Sequence, residues 1–225
     1  MNPVQNTRRA VAALSAEASS TRLRAAMLLG RHPDPSVVTA LVRRCAVEPD
    51  FYVRDMLTWA LTRLPEAFTL PRLRAELTSE QAQARSQALH SLSKINNSSV
   101  YPLITGTLLR DPDDEVARTA WRAAVALVPE EQEEALAAEL VSQLGRGGRD
   151  VRLSLSQALV GLGTAALSAL AASVDSPEPT TREHAHATLL LLRDPEADYD
   201  ELAEEARRLA ADKLDPVGRE KAPPC

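Results

Sequence analysis

A segment of about twelve residues recurs six times along the chain at nearly constant spacing. The copies begin at Leu23, Val53, Ala84, Val116, Val151 and Thr181. Successive starts therefore lie 30, 31, 32, 35 and 30 residues apart. Within each copy, apolar residues recur with the period of one face of an amphipathic helix. A repeat of this length predicts an array of small helical units stacked in sequence.

A second helical pattern lies between successive copies, so each repeat is predicted to be a pair of helices. Only 3% of the residues are aromatic, and Ala and Leu, which favour helices, dominate the composition. We expect second helices near 20–31, 50–64, 79–95, 113–127, 149–162 and 178–192, and a terminal capping helix at 198–212. The sequence thus predicts one repeat domain over residues 1–212, followed by a disordered tail at 213–225.

An Asp placed before the second helix, and a Val-Arg pair that opens it, carry a family resemblance. The residues concerned are Asp50, Val53 and Arg54, then Asp150, Val151 and Arg152, with Leu23 and Arg24 in the first copy. They resemble the short bacterial form of the HEAT repeat, related in pattern to the bilin-lyase-type HEAT proteins. The resemblance implies an all-α, right-handed α-solenoid of about six two-helix repeats, whose second helices line a concave face.

Five arginines occupy the same relative position in five of the six copies, and Ala117 replaces the arginine in the fourth. They are Arg24, Arg54, Arg85, Arg152 and Arg182. A row of guanidinium groups could bind an anion. A regularly repeated residue usually serves the repeat itself, so we predict that these arginines join neighbouring repeats.

The exposed side of the middle second helices is the predicted partner-binding surface. It comprises Asp55, Trp59, Arg63, Ser86, His90, Lys94, Arg118 and Arg122. Trp and Arg are frequent at the energetic centres of interfaces. We expect Trp59 to face this groove, although a shift of one residue would bury its ring between repeats. Trp121 falls beside the apolar stripe and is predicted to pack in the core.

The net charge of −5 is unevenly distributed along the sequence. Residues 1–110 carry 14 Lys and Arg against 8 Asp and Glu, whereas residues 111–225 carry 12 against 23. A basic first half favours an acidic protein or peptide partner, although an imbalance of solvated helix faces would look the same. The two cysteines, Cys45 and Cys225, have no disulfide or zinc spacing. We expect a cytoplasmic protein that does not bind membranes.

Motifs for catalysis, metals or cofactors find little support in the sequence. Residues 160–166, VGLGTAA, fit a dinucleotide-binding pattern but lie in helical context, without the strand that such a site needs. The HEAT-like deoxyhypusine hydroxylases carry His-Glu dipeptides, whereas this chain has only the reversed pair Glu183-His184. We therefore predict a non-catalytic interaction or scaffold module without a cofactor.

The alternative is a nucleic-acid-binding protein or an enzyme similar to the alkylpurine DNA glycosylases. Arg54, Asp55 and Trp59 bear a weak likeness to the basic, aromatic face of those enzymes. The negative charge of the second half would repel a long duplex, so nucleic acid is the less favoured partner.

Overall fold

A computed structural model describes the backbone of residues 3–212 and the side chains of residues 4–210. These residues form helices and connecting turns, without a strand among them, which confirms the all-α prediction. The chain divides into two compact units, unit 1 up to Leu127 and unit 2 from Val128 onward. The single repeat domain and its handedness stay predictions. The predicted tail and Cys225 lie outside the described residues.

Unit 1 consists of four successive helical pairs. Its α-helices are α1 (Pro3–Ala13), α2 (Ser19–Arg31), α3 (Val38–Val47), α4 (Phe51–Thr62), α5 (Glu66–Glu76), α6 (Ala82–Ile95), α7 (Gly106–Leu109) and α8 (Asp114–Leu127). Short 3-10 helices, Pro35–Val37 and Ser98–Leu103, precede α3 and α7. The second helices pack side by side, α2 against α4, α4 against α6, and α6 against α8.

Unit 2 continues the alternation with α9 (Glu133–Val141), α10 (Arg149–Gly161), α11 (Leu167–Ser173), α12 (Pro179–Arg193) and α13 (Tyr199–Asp212). Two 3-10 helices, Glu130–Gln132 and Gly163–Ala166, precede α9 and α11. In the described chain, no single helix combines the length and the apolar character of a membrane span. Only α10 taken together with the bent segment that follows it meets that test.

Two of the second helices in unit 1, α4 and α8, begin at an aspartate cap. Asp50 accepts a hydrogen bond from the Val53 N–H, and Asp113 accepts one from the Val116 N–H, each at 3.1 Å. Such caps satisfy N–H groups that the first helical turn leaves without partners. The apolar stripe is buried as the period predicts, with Leu57 and Leu61 fully enclosed. Trp121 is fully buried and donates to the Leu109 carbonyl at 2.8 Å, which confirms its predicted packing.

The recurring arginine holds the loop that precedes its own helix. Arg54, Arg85 and Arg182 each donate to the carbonyls five and six residues earlier. Arg152 donates to the carbonyl five residues earlier. Guanidinium donors in a fixed fork suit two neighbouring carbonyls, so the residue fixes the angle between loop and helix.

The assignment of Arg24 to this set is wrong. Arg24 is bonded to the Ser20 carbonyl of its own helix, in an exposed position. Arg22 takes the recurring place, because its Nη1 donates to the Ala16 and Glu17 carbonyls, six and five residues earlier. The first copy therefore begins at Thr21, two residues before its predicted start. The spacing from the first copy to the second then becomes 32 residues, which agrees with the next two spacings of 31 and 32 residues.

Two of these arginines also join one repeat to the next through a buried carboxylate. Arg22 holds both oxygens of Glu48 at 2.7 and 2.6 Å, and Arg44 donates to the same carboxylate at 2.7 Å. The Asp50 N–H adds a further bond at 3.0 Å. We call this group of four residues the Glu48 cluster. Burial opposes ionisation of Glu48, but these hydrogen bonds prevail and lower its pKa to about 2.

The third and fourth repeats are joined in the same way, by Arg85 and Asp111. Arg85 donates to both oxygens of Asp111 at 2.8 and 2.9 Å. Hydroxyl pairs add a neutral contact between neighbouring second helices, Thr58 with Ser91 at 3.4 Å and Ser86 with Thr119 at 3.0 Å. Each of these polar groups thus has a partner in the adjacent repeat, which fixes the register of the helices.

In unit 2 a buried neutral histidine connects α10 to α12. His184 Nδ1 accepts from the Gly145 N–H at 3.0 Å, so the ring proton resides on Nε2. Nε2 lies 3.0 Å from both the Arg152 carbonyl oxygen and Ser156 Oγ, and Ser156 Oγ lies 2.7 Å from Thr188 Oγ1. We call these five residues the His184 cluster. Burial of the ring is the main cause that lowers the pKa of His184 to about 4.

Candidate functional site

A groove in unit 1 brings together residues from α4, α6 and α8. A pocket of about 190 Å³ is lined by Phe51, Arg54, Asp55, Ser86, Gln87, His90, Glu115, Thr119 and Arg122. A pocket of about 400 Å³ shares four of these residues and extends towards the starts of α6 and α8, where it is lined by Ala82, Gln83 and Asp113. We call the two together the α6 groove, because α6 runs along their floor.

Four of the eight residues predicted from sequence to bind a partner line this groove. They are Asp55, Ser86, His90 and Arg122. Trp59, Arg63, Lys94 and Arg118 line neither of its pockets. The partner-binding assignment of all eight stays a prediction, but the structure identifies which of them share one surface.

Trp59 packs against α2. A Cβ atom added to Gly30 would lie 2.3 Å from Cζ3 of the indole, so the absence of a side chain at Gly30 makes room for the ring. The residue is nevertheless 38% exposed. Trp59 therefore joins the first two second helices and also presents part of its ring to solvent.

The lining of the α6 groove carries charges of both signs. Glu115 lies 3.3 Å from Arg118 Nη1 and 3.6 Å from Arg122 Nη2, so one carboxylate faces two guanidinium groups. Arg122 also donates to Thr119 Oγ1 at 3.2 Å. Arg54 brings a further positive charge to the lining. The lining thus carries two guanidinium groups, Arg54 and Arg122, against the carboxylates of Asp55, Asp113 and Glu115.

His90 lies near the centre of the groove and responds to these charges. Its pKa is lowered, first by burial of the ring and then by the positive charges of Lys94 and Arg122, while Asp55 acts in the opposite direction. The imidazole is therefore neutral near pH 7 and can both donate and accept a hydrogen bond.

Exposed aromatic rings lie at the start of α4, next to the charged lining. Phe51 is 66% exposed and Tyr52 is 73% exposed, and their ring centroids lie 5.6 Å apart in an edge-to-face arrangement. The guanidinium carbon of Arg54 lies 6.0 Å from the Phe51 centroid, within the range of a cation–π contact. Large exposed rings beside charged groups are typical of protein interfaces.

The sequence reasoning missed Phe51, Gln87, Glu115 and Thr119, and it left Arg54 out of the predicted partner-binding surface. The α6 groove extends further towards the helix starts than the predicted surface did. The missed residues lie between two residues before and three residues after the start of each copy, near the first turn of each helix. The adjacent exposed rings of Phe51 and Tyr52 were the one signal in the sequence that could have indicated it.

Metal-binding geometry does not occur in the described part of the chain, where no group of three or more His, Cys, Asp or Glu residues could hold an ion. Cys45 is buried in α3, with its carbonyl accepting from Gln83.

Comparisons with known proteins give likenesses to solved structures but no family. No protein-family model matches the sequence. No curated protein matches it either. Among solved structures, an engineered protein is 20% identical with a TM-score of 0.48, covering 94% of this chain and 97% of that one.

Two natural proteins are also similar in fold. The CpcE–CpcF complex of phycocyanin lyase from Nostoc sp. PCC7120 is 24% identical with a TM-score of 0.41, covering 91% of this chain and 82% of that one. Human deoxyhypusine hydroxylase, in complex with glycerol, is 17% identical with a TM-score of 0.46, covering 94% and 96%. Both are enzymes by name, against the prediction that this chain is not an enzyme, and the likeness assigns no activity to this chain.

Proposed function

We propose that this protein binds an acidic segment of a partner protein in the α6 groove of unit 1. The proposal is carried by one observation. Side chains from α4, α6 and α8 line a single pocket, namely Asp55, Ser86, His90 and Arg122. Repeat proteins present such surfaces to their partners, since each helix adds its own side chains to a continuous face.

The charges and rings around the pocket indicate the character of the partner. At His90, near the centre of the groove, the positive charges of Lys94 and Arg122 act more strongly than the negative charge of Asp55, so an acidic side chain is favoured there. Phe51 and Tyr52 supply exposed apolar area next to these charges, where a segment of protein chain could be anchored.

Random peptides displayed on phage and selected on the full chain provide the test. We expect the selected peptides to be rich in Asp and Glu. Arg122→Glu should weaken their binding about ten-fold or more, because it places a like charge where an acidic side chain would lie. Binding is measured by fluorescence anisotropy at two salt concentrations, and it should weaken as salt increases.

Arg63→Glu is the matched control, since Arg63 is exposed and lines neither pocket of the groove. Arg63→Glu should change the affinity for the selected peptides by less than about two-fold. It alters the net charge as Arg122→Glu does, but the new charge lies outside the groove and is screened by salt. Selected peptides that bind Arg122→Glu as tightly as the wild type, or a selection that yields no peptide, would refute the proposal.

A further inference from the structure

The first repeat leaves open the side of α2 that, in α4, the preceding repeat covers. Arg22 of α2 corresponds to Arg54 of α4, 32 residues later, and by the same offset Leu28 corresponds to Ala60. Ala60 is fully buried, and its Cα lies 3.1 Å from a Cβ atom added to Gly30, so this position faces the preceding second helix. Leu28 is exposed, because no second helix precedes α2 among the described residues. Leu28 therefore lies where a further repeat would pack.

Two pockets between α1 and α2 share Leu28 in their lining. The larger, of about 380 Å³, is lined by small and apolar side chains together with two arginines, including Ala10, Ala13, Ala25, Leu28, Arg9 and Arg24. The smaller, of about 220 Å³, shares Ala10 and Leu28. We call the two together the α1–α2 groove. Its described lining contains two guanidinium groups and no carboxylate.

The charge around this groove favours an acidic occupant. Residues 3–31, which include α1 and α2, carry five Arg against one Glu. Arg24 is exposed, and its Nε donates to the Ser20 carbonyl of its own helix. Within the described chain, the guanidinium group of Arg24 has no carboxylate partner. A carboxylate from another molecule would therefore be attracted to it.

Helix α13, the last one that the structure describes, has the matching character. It carries five Asp and Glu against two Arg. Glu201, Glu205 and Leu209 are exposed and follow one another at intervals of four residues, so they form one stripe on its surface. Neither of these two glutamates forms an ion pair with another described residue. With 14 residues, α13 is about 21 Å long, close to the length of about 20 Å expected for the 13 residues of α2.

We infer that α13 of one copy of this chain binds in the α1–α2 groove of a second copy. Leu28 and Arg24 of the groove then take the exposed leucine and the carboxylates of that helix. The contact covers the side of α2 that a preceding repeat would cover. It joins two different surfaces, so it is heterologous, and each copy offers one of each. The α1–α2 groove shares no lining residue with the α6 groove, so the inference is independent of the proposed function.

Sedimentation equilibrium of the full chain tests this self-association. A contact made by one helix is smaller than a permanent dimer interface, so the protein is studied at concentrations up to about 1 mM. The average mass of the wild type should rise with concentration. Arg24→Glu should raise the dissociation constant about ten-fold or more, because it places a like charge against the carboxylates of α13. A chain with both Glu201→Arg and Glu205→Arg should show the same loss from the other side of the contact.

Mixing these two variant chains gives the sharpest result. Opposite charges face each other again in the mixture, so the mixed chains should associate more tightly than either variant alone. Arg8→Glu is the matched control, since Arg8 is exposed and lines neither pocket, and it should change the dissociation constant by less than about two-fold. Three results would overturn the inference: a wild type that stays monomeric throughout, equal effects of Arg8→Glu and Arg24→Glu, or a mixture that associates no more than its components.

Discussion

In unit 1 buried carboxylates join one repeat to the next, whereas in unit 2 the buried contact between α10 and α12 is neutral. The Glu48 cluster encloses a carboxylate among two guanidinium groups and a backbone N–H. The His184 cluster encloses an uncharged ring among a backbone N–H, a carbonyl and hydroxyl groups. The same helical repeat therefore accepts two kinds of buried polar contact, and the two should respond differently to mutation and to pH.

Removing the carboxylate of the Glu48 cluster should have the largest effect. Glu48→Ala leaves Arg22 and Arg44 without their shared partner, and breaking a buried ion pair from one side typically costs about 3 kcal/mol of unfolding free energy. Urea denaturation of the full chain measures the loss. Glu80→Ala, at an exposed position, is the control and should change the unfolding free energy by less than about 0.5 kcal/mol.

A matched pair of arginine variants refines this result. Arg22→Ala should destabilise unit 1, while Arg24→Ala should leave the urea midpoint unchanged, because only Arg22 reaches Glu48 and the loop carbonyls. Equal effects of the two variants would contradict the two-residue correction of the first repeat.

Acid should weaken the His184 cluster before the Glu48 cluster. The pKa of His184 is about 4 in the folded chain against an ordinary value of 6.5, so the unfolded chain binds the proton first. Its contribution to stability is complete above pH 6.5 and is lost as the pH falls to 4, a change of about 3 kcal/mol. The contribution of Glu48 to stability is lost only as the pH falls from 4.5 to 2.

The measurement is the difference in unfolding free energy between the wild type and His184→Gln at successive pH values. His184→Gln is less stable at pH 7, and the gap should narrow as the pH falls from 6.5 to 4. Taking this difference cancels the contribution of His90, whose pKa is also lowered. A gap that stays constant over this range would show that His184 takes up its proton without cost in the folded state.

The smallest expected effect concerns the apolar contact between α2 and α4, which involves no charge. Gly30→Ala gains about 0.5 to 1 kcal/mol of helix propensity, but in the wild type the new methyl group displaces the Trp59 ring. In a Trp59→Ala background more of this gain should appear, since only the 3.1 Å contact with Ala60 Cα then remains. Thermal denaturation of the four proteins gives the coupling between the two sites, and additive effects would show that the close contact is absent.

The fold was predictable because its main signal is local. Apolar residues such as Val53, Leu57 and Leu61 recur with the helical period, and Asp50 marks the helix start in the sequence itself. The position of the first repeat was harder, since Leu23 continued the apolar pattern better than Thr21. Only the carbonyls and the carboxylate that surround Arg22 distinguish the two alignments, and these come together through the fold.

The α6 groove was predictable only in part. The positions of Asp55, Ser86, His90 and Arg122 within their helices follow from periodicity, so their common face could be inferred. Gln83 and Gln87 look alike in sequence, one turn apart on one helix. What separates them is the loop carbonyls that reach Gln83 and not Gln87, a consequence of how α3 and α4 pack against α6.

The buried thiol of Cys45 gives unit 1 an internal reporter of its own motions. Burial, together with the nearby Glu48 carboxylate, raises the pKa of this thiol to about 12, so the reactive thiolate is scarce in the closed state. An alkylating reagent can then modify Cys45 only while α3 is separated from α4 and α6. Peptide mass analysis gives the rate of alkylation at Cys45. This rate measures how often the helices beneath the α6 groove open.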